Sequence, residues 1–95
     1  MEKYLPLGSV VLLDGGEKEI MIYGRRQTHA ETQIEYDYVA CLHPEGNISN
    51  EFTYLFNHDK IDKILFVGCS NNAEKEFVKL LLKESSNNNQ IKADF

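Results

Sequence analysis

Asp14-Gly15-Gly16-Glu17 stands between two short apolar runs, Gly8 to Leu13 and Glu19 to Tyr23. Glycine supplies the positive φ that a tight reversal needs, and aspartate tolerates the same region, so this segment predicts a β-hairpin. Gly24 then marks the end of the second strand or a bulge, and the polar segment from Gln27 to Gln33 reads as a connection.

From there Ile34, Tyr36, Tyr38, Ala40 and Leu42 alternate with Glu35, Asp37, Val39, Cys41 and His43. A period of two belongs to a strand with one packed face. Towards its end both faces become apolar, as expected of a strand that starts half-exposed and runs into the core. Pro44-Glu45-Gly46-Asn47 is a turn, because Pro fixes φ and Gly and Asn accept left-handed backbone. Phe52, Tyr54 and Phe56 predict a fourth, aromatic-rich strand. Asn57-His58-Asp59-Lys60 is a polar break with one helical turn through Ile61. Ile64 to Val67 reads as a fifth, fully apolar strand ended by Gly68.

A helix is predicted after Ser70-Asn71-Asn72, with Asn71 as cap and Glu74 three residues on, as in a capping box. Phe77, Val78, Leu80, Leu81 and Leu82 form its apolar face, and Lys75, Lys79 and Lys83 an i, i+4 row opposite. The fold class is therefore α+β: a curved antiparallel sheet of four or five strands, left open or closed as a small barrel, followed by a C-terminal helix packed on it. Residues 1–84 are expected to form a single compact α+β domain, and 85–95 a flexible polar C-terminal tail in which Ile91 and Phe95 fray. A length of 95 residues suffices for one domain and is too short for two.

Charge and hydropathy remove whole classes of function. Fifteen acidic against ten basic residues give a net charge of -5, which opposes binding to a phosphate backbone, so no nucleic-acid partner is expected. Arg25-Arg26 follows a predicted strand and reads as a solvated pair at a sheet edge. The longest apolar stretches, Val10 to Leu13 and Leu80 to Leu82, fall far short of a membrane span. The first residues, Met1 to Leu7, show no long apolar core with a cleavage site, so the expected address is cytoplasmic and membrane-free. In that compartment Cys41 and Cys69 are read as reduced, buried small hydrophobes, and the Asn47-Ile48-Ser49 acceptor pattern has no meaning.

No metal or cofactor site is expected. His29, His43 and His58 are far apart, lack a cysteine at ligand spacing and read as solvated turn residues. P-loop, GxGxxG and nucleophile-elbow patterns are missing. A Cys41–His58 nucleophile pair would have to be assembled by the fold. Asp59 and Asp62, flanking the predicted helical turn, suit its dipole better than acid–base work. The strand aromatics are read chiefly as cross-strand packing, with a protein-recognition face as the competitor.

The stretch Tyr4 to Leu13, the Ile20 to Arg25 strand, Tyr36 to Asn47 with its Pro-Glu-Gly-Asn turn, and Phe56-Asn57-His58 followed by Ile61 to Gly68 together resemble a small domain-of-unknown-function family of Gram-positive bacteria. Its members are encoded beside LXG polymorphic toxins and type VII secretion genes. The resemblance spans roughly residues 4 to 84 and carries over no catalytic residue. Where that family has an acid-rich segment before the last helix, this chain has Ser70-Asn71-Asn72.

The resemblance implies a non-enzymatic cytosolic adaptor or chaperone that binds a secreted LXG-type toxin through a sheet edge or an apolar helix face. An immunity protein that masks the toxin domain is the second reading, since an acidic surface suits a basic active site. A small enzyme using Cys41 is the third, and Cys41→Ser would test it. The candidate partner-binding residues are Tyr36, Tyr38, Pro44, Glu45, Asn57, His58, Val78 and Leu82, and a homodimer is left open.

Overall fold

The computed structural model of the protein describes residues 4–86. Five strands, β1 (Val10–Leu13), β2 (Ile20–Thr28), β3 (Glu35–Leu42), β4 (Tyr54–Phe56) and β5 (Ile61–Phe66), precede one helix, α1 (Asn72–Ser86). They form a single antiparallel sheet in the order β4-β3-β2-β1-β5, so the fold is α+β as expected. The sheet does not close into a barrel: β4 and β5 are both edges.

The Asp-Gly turn does what its residues require, with Gly15 at φ 76° and the Gly16 N–H donating to the Leu13 carbonyl. Gly24 resolves as a bulge, because the β2–β3 register shifts between Ile22 and Gly24 and the strand continues to Thr28. A methyl added at Gly24 would meet Val39 Cγ1 at 2.6 Å, so glycine lets the two strands approach there. The predicted turn after Asn57 is a 3-10 turn, His58–Lys60. Phe52, expected to open the fourth strand, lies instead in a second 3-10 turn, Asn50–Phe52, and is 41% exposed.

Residues paired across neighbouring strands share a face, so the register sorts the side chains. Val11, Ile20, Ile22, Tyr38, Ala40 and Phe56 point to the first face and pack with Tyr4 and with Leu81 of α1. Phe77, Val78 and Leu82 lean on the same cluster. Asn71 caps α1, its Oδ1 accepting from the Glu74 N–H at 2.9 Å. The predicted reciprocal bond of a capping box is replaced, since the Glu74 carboxylate goes to Arg25.

That exchange overturns the reading of Arg25-Arg26 as a solvated pair. Both side chains are only 5% exposed. Arg25 forks onto both Glu74 oxygens, donates to the Leu5 carbonyl and stands 5.4 Å from the Phe77 ring centre. Arg26 binds Glu35 and reaches the Leu81 carbonyl on α1. Position in sequence suggested an edge, but β2 lies inside the sheet, beneath the helix.

Two further readings are corrected. Leu80 is 59% exposed although it was assigned to the apolar face of the helix. Cys69 is exposed, while Cys41 is buried as expected. The tail reading also changes in part: α1 runs through Ser86, and residues 87–95 lie outside the described residues.

Candidate functional site

Tyr38, Asn57 and His58 come together, with Asp37, in one hydrogen-bonded cluster where the chain leaves β4 beside β3. The Asp37 N–H donates to Asn57 Oδ1 at 3.0 Å, and the His58 N–H donates to Asp37 Oδ2 at 2.9 Å. The Tyr38 hydroxyl accepts from the Leu5 N–H at 2.9 Å and lies 2.6 Å from His58 Nδ1. Tyr38 is wholly buried, stacked at a tilt against Phe56 and edge-on to Tyr4. Its side chain therefore serves the core and cannot be offered to a partner. The Phe-Asn-His stretch fastens β4 and the N-terminal segment to β3.

Burial pushes the Tyr38 hydroxyl up to about 12, helped by the neighbouring Asp37 carboxylate. A phenol raised above its unfolded value stabilises the fold below pH 10, and that stability is lost as pH climbs towards 12. Tyr38→Phe is expected to cost about 1–3 kcal/mol at neutral pH, because Leu5 N–H and His58 lose this partner. It should also flatten the decline in stability above pH 10, which urea titrations at pH 8 and 11 would show. Equal declines in the two proteins would refute the assignment.

The remaining candidates lie elsewhere. Pro44 and Glu45 are exposed on the β3–β4 connection. Lys18 holds Glu45 at 2.9 Å and lowers its carboxyl below the usual range, chiefly through a hydrogen bond. His43 approaches Glu19 at 3.3 Å, so the two loops at this end of the sheet are tied. Tyr36 faces Gln27 across β2 and β3, half-buried. Val78 and Leu82 pack on the core from α1, which leaves less of the helix face for a partner.

Cys41 and His58 do not converge. Cys41 follows Ala40 on β3 and turns to the face away from Tyr38, whose hydroxyl holds His58. Among the described residues no group of three His, Cys, Asp or Glu side chains is placed to hold a metal ion. No described helix is long and apolar enough to cross a membrane.

Exposed apolar side chains gather at β5, which the sequence predicts only as a fully apolar strand. Ile64, Leu65, Phe66 and Val67 are 47%, 46%, 61% and 53% exposed. The cause is in the register: β5 breaks step with β1 between Val10 and Val11 and again between Leu12 and Leu13. Each break inserts one extra residue on β5, first Leu65 and then Asp62, and such bulges re-aim side chains at a sheet edge.

Leu7 extends this surface. Its carbonyl lies against Gly68, where an added methyl would collide with it, and it is itself 46% exposed. The Gly68 N–H also donates to Ser9 Oγ at 3.0 Å, which pins the end of β5 to the N-terminal segment. Gly68→Ala is expected to lower stability by about 1–3 kcal/mol, since a backbone carbonyl cannot rotate aside as a side chain can. A midpoint in urea unchanged from the parent would contradict this packing.

Leu7, Ile64, Leu65, Phe66 and Val67 are thus exposed apolar residues on and beside an edge strand, Ile64 on the face that holds Val11 and Phe66 on the face that holds Val10. Exposed apolar side chains gathered in this way mark places where another protein binds. Sequence reasoning missed all five residues, because four consecutive apolar residues read equally well as a buried strand. The nearby Asp62-Lys63 pair was the available signal, charges being common guards of an edge.

The sequence model of a domain of unknown function, DUF4176, matches residues 4–77. Neither the curated proteins nor the solved structures contain a match.

Proposed function

The chain belongs to the DUF4176 family, and from that premise we propose that it is a non-enzymatic accessory protein, an adaptor or chaperone, that binds an LXG-type toxin for type VII secretion in the cytoplasm. The observation that carries this reading is the group of exposed apolar residues Leu7 and Ile64 to Val67. A protein that escorts an export substrate needs a surface for segments whose own apolar side chains are not yet covered, and these residues offer one. Its site is then the β5 region rather than the Tyr38–His58 cluster.

Co-purification of the chain with a full-length LXG-type toxin and with its two halves, followed by a toxicity rescue in cells, tests the proposal. Binding outside the toxin domain without rescue is the expected result. Binding to the toxin domain with rescue would replace it by the immunity reading, which the net charge of -5 favours because an acidic surface speeds encounter with a basic active site. Failure to bind either half would remove both.

A further inference from the structure

We infer that β5 takes an extended, apolar segment of another protein as a sixth strand at the edge of the sheet. This deepens the accessory-protein reading and rests on it for the identity of that protein. Among the described residues β5 has one strand neighbour, β1, and its other side faces none. Such an edge presents unpaired N–H and C=O groups to an incoming strand. β5 offers six residues for this, whereas the opposite edge, β4, offers three.

The exposed side chains select a strand over a helix. Ile64 lies opposite Val11 and Phe66 opposite Val10, so the two project to opposite faces of the sheet. They are 47% and 61% exposed. A helix or a second sheet lies against one face, so it would cover one of these residues and leave the other in water. A strand lying in the plane of the sheet sets a cross-strand neighbour beside both at once. The first face is in any case taken next to Ile64, where α1 covers Val11 with Leu81.

The guards of this edge are confined to its start. Asp62, an extra residue in the register, and Lys63 stand there, while Ile64 to Val67 carry no charge. The occupant therefore pairs over about four residues and is apolar at successive positions rather than alternate ones, because its neighbours are apolar on both faces. Basic residues beside that run suit a chain of net charge -5.

A second copy of this chain is disfavoured by geometry as well as charge. In a two-fold antiparallel pair of β5 strands centred on Leu65, Ile64 would lie opposite Phe66 of the copy. Residues opposite each other share a face, and the bulge at Leu65 has put these two on different faces.

The probes are a lysine-flanked peptide with a central Val-Ile-Val-Ile and its twin N-methylated at those four residues, which keeps the side chains and removes the backbone donors. The first is expected to bind saturably and to slow amide exchange in β5 at least tenfold, and the twin to do neither. Ile64→Lys and Phe66→Lys should each weaken binding at least tenfold, while Ile48→Lys, at a site 60% exposed on the β3–β4 connection, should leave it unchanged. All three substitutions are at exposed side chains, and thermal unfolding shows whether each variant folds; the pair of peptides tests the parent chain irrespective of that.

Equal binding of the twin, or no protection by either peptide, would overturn the inference. So would a loss confined to one of the two β5 variants, which would mean an occupant on one face, or a dimer in sedimentation that Phe66→Lys dissolves. Because the peptides need no toxin, a chain that binds the first peptide but no toxin keeps the strand site and loses the proposed function. Toxin binding insensitive to both β5 variants, with no protection by the peptide, does the reverse.

Discussion

Arg25→Ala is expected to destabilise the fold by about 3–5 kcal/mol, the cost of removing one partner from a buried ion pair. Glu74, with 14% of its side chain exposed, would be left beneath the helix without its guanidinium. The same substitution removes the bond to the Leu5 carbonyl and the contact with the Phe77 ring, so the N-terminal segment, β2 and α1 all lose a common fastening. For a domain of this length each kcal/mol lowers Tm by roughly 4–8 °C, and the loss should be plain in a thermal scan.

Arg25→Lys keeps the charge but not the fork, and should recover part of the stability. Replacing both partners, as in Arg25→Met with Glu74→Leu, should cost far less than Arg25→Ala alone, since the main penalty is the orphaned charge. A double variant no better than the single one would show that the pair contributes attraction beyond its own desolvation. A single variant within 1 kcal/mol of the parent would remove the ion pair as a fastening.

Leu81→Ala carries the other large effect, about 2–5 kcal/mol. Leu81 is 1% exposed and stands among Val11, Ile20, Ile22 and Tyr38, so its truncation opens a void where the helix meets the sheet. Leu80→Ala, one position earlier, should stay within about 0.5 kcal/mol because that side chain is 59% exposed. Urea denaturation of the two variants gives the comparison directly. Equal losses would mean that α1 is rotated from the orientation described.

The contrast between Leu80 and Leu81 shows how far the sequence could be read. Three consecutive leucines announce a buried helix face, but a helix advances 100° per residue, and only the sheet decides which of the three it touches. Local chemistry was more legible. Turn glycines, the Asn71 cap and the period of two in β3 act within a few residues, and each appears where those residues call for it. The double apolar character at the end of β3 likewise marks residues buried on both faces, Tyr38 to Cys41.

Strand order was not legible in this way. Nothing in Ile61 to Phe66 says that its neighbour is β1 rather than β4, and an apolar run does not announce that its strand lies at an edge. The arginines failed for the same reason. Arg25 is buried because Glu74, 49 positions later, arrives over it. The candidate site divides similarly: Asn57, His58 and Tyr38 do converge, but as a fastening inside the fold, while the open surface arises from bulges that leave no mark in the sequence.

The place of β1 in the sheet sets an order of events during synthesis. Three of the four strand pairings join neighbours along the chain and can close as it emerges, β1 with β2, β2 with β3, and β3 with β4. The fourth waits for β5, and the cover of the first face waits for α1, so a nascent chain exposes one flank of β1 and the whole inner face until its last third is made. Phe66 meets Val10 only in that closing step. A truncated or stalled product therefore lacks β5 and leaves that flank of β1 without its strand partner.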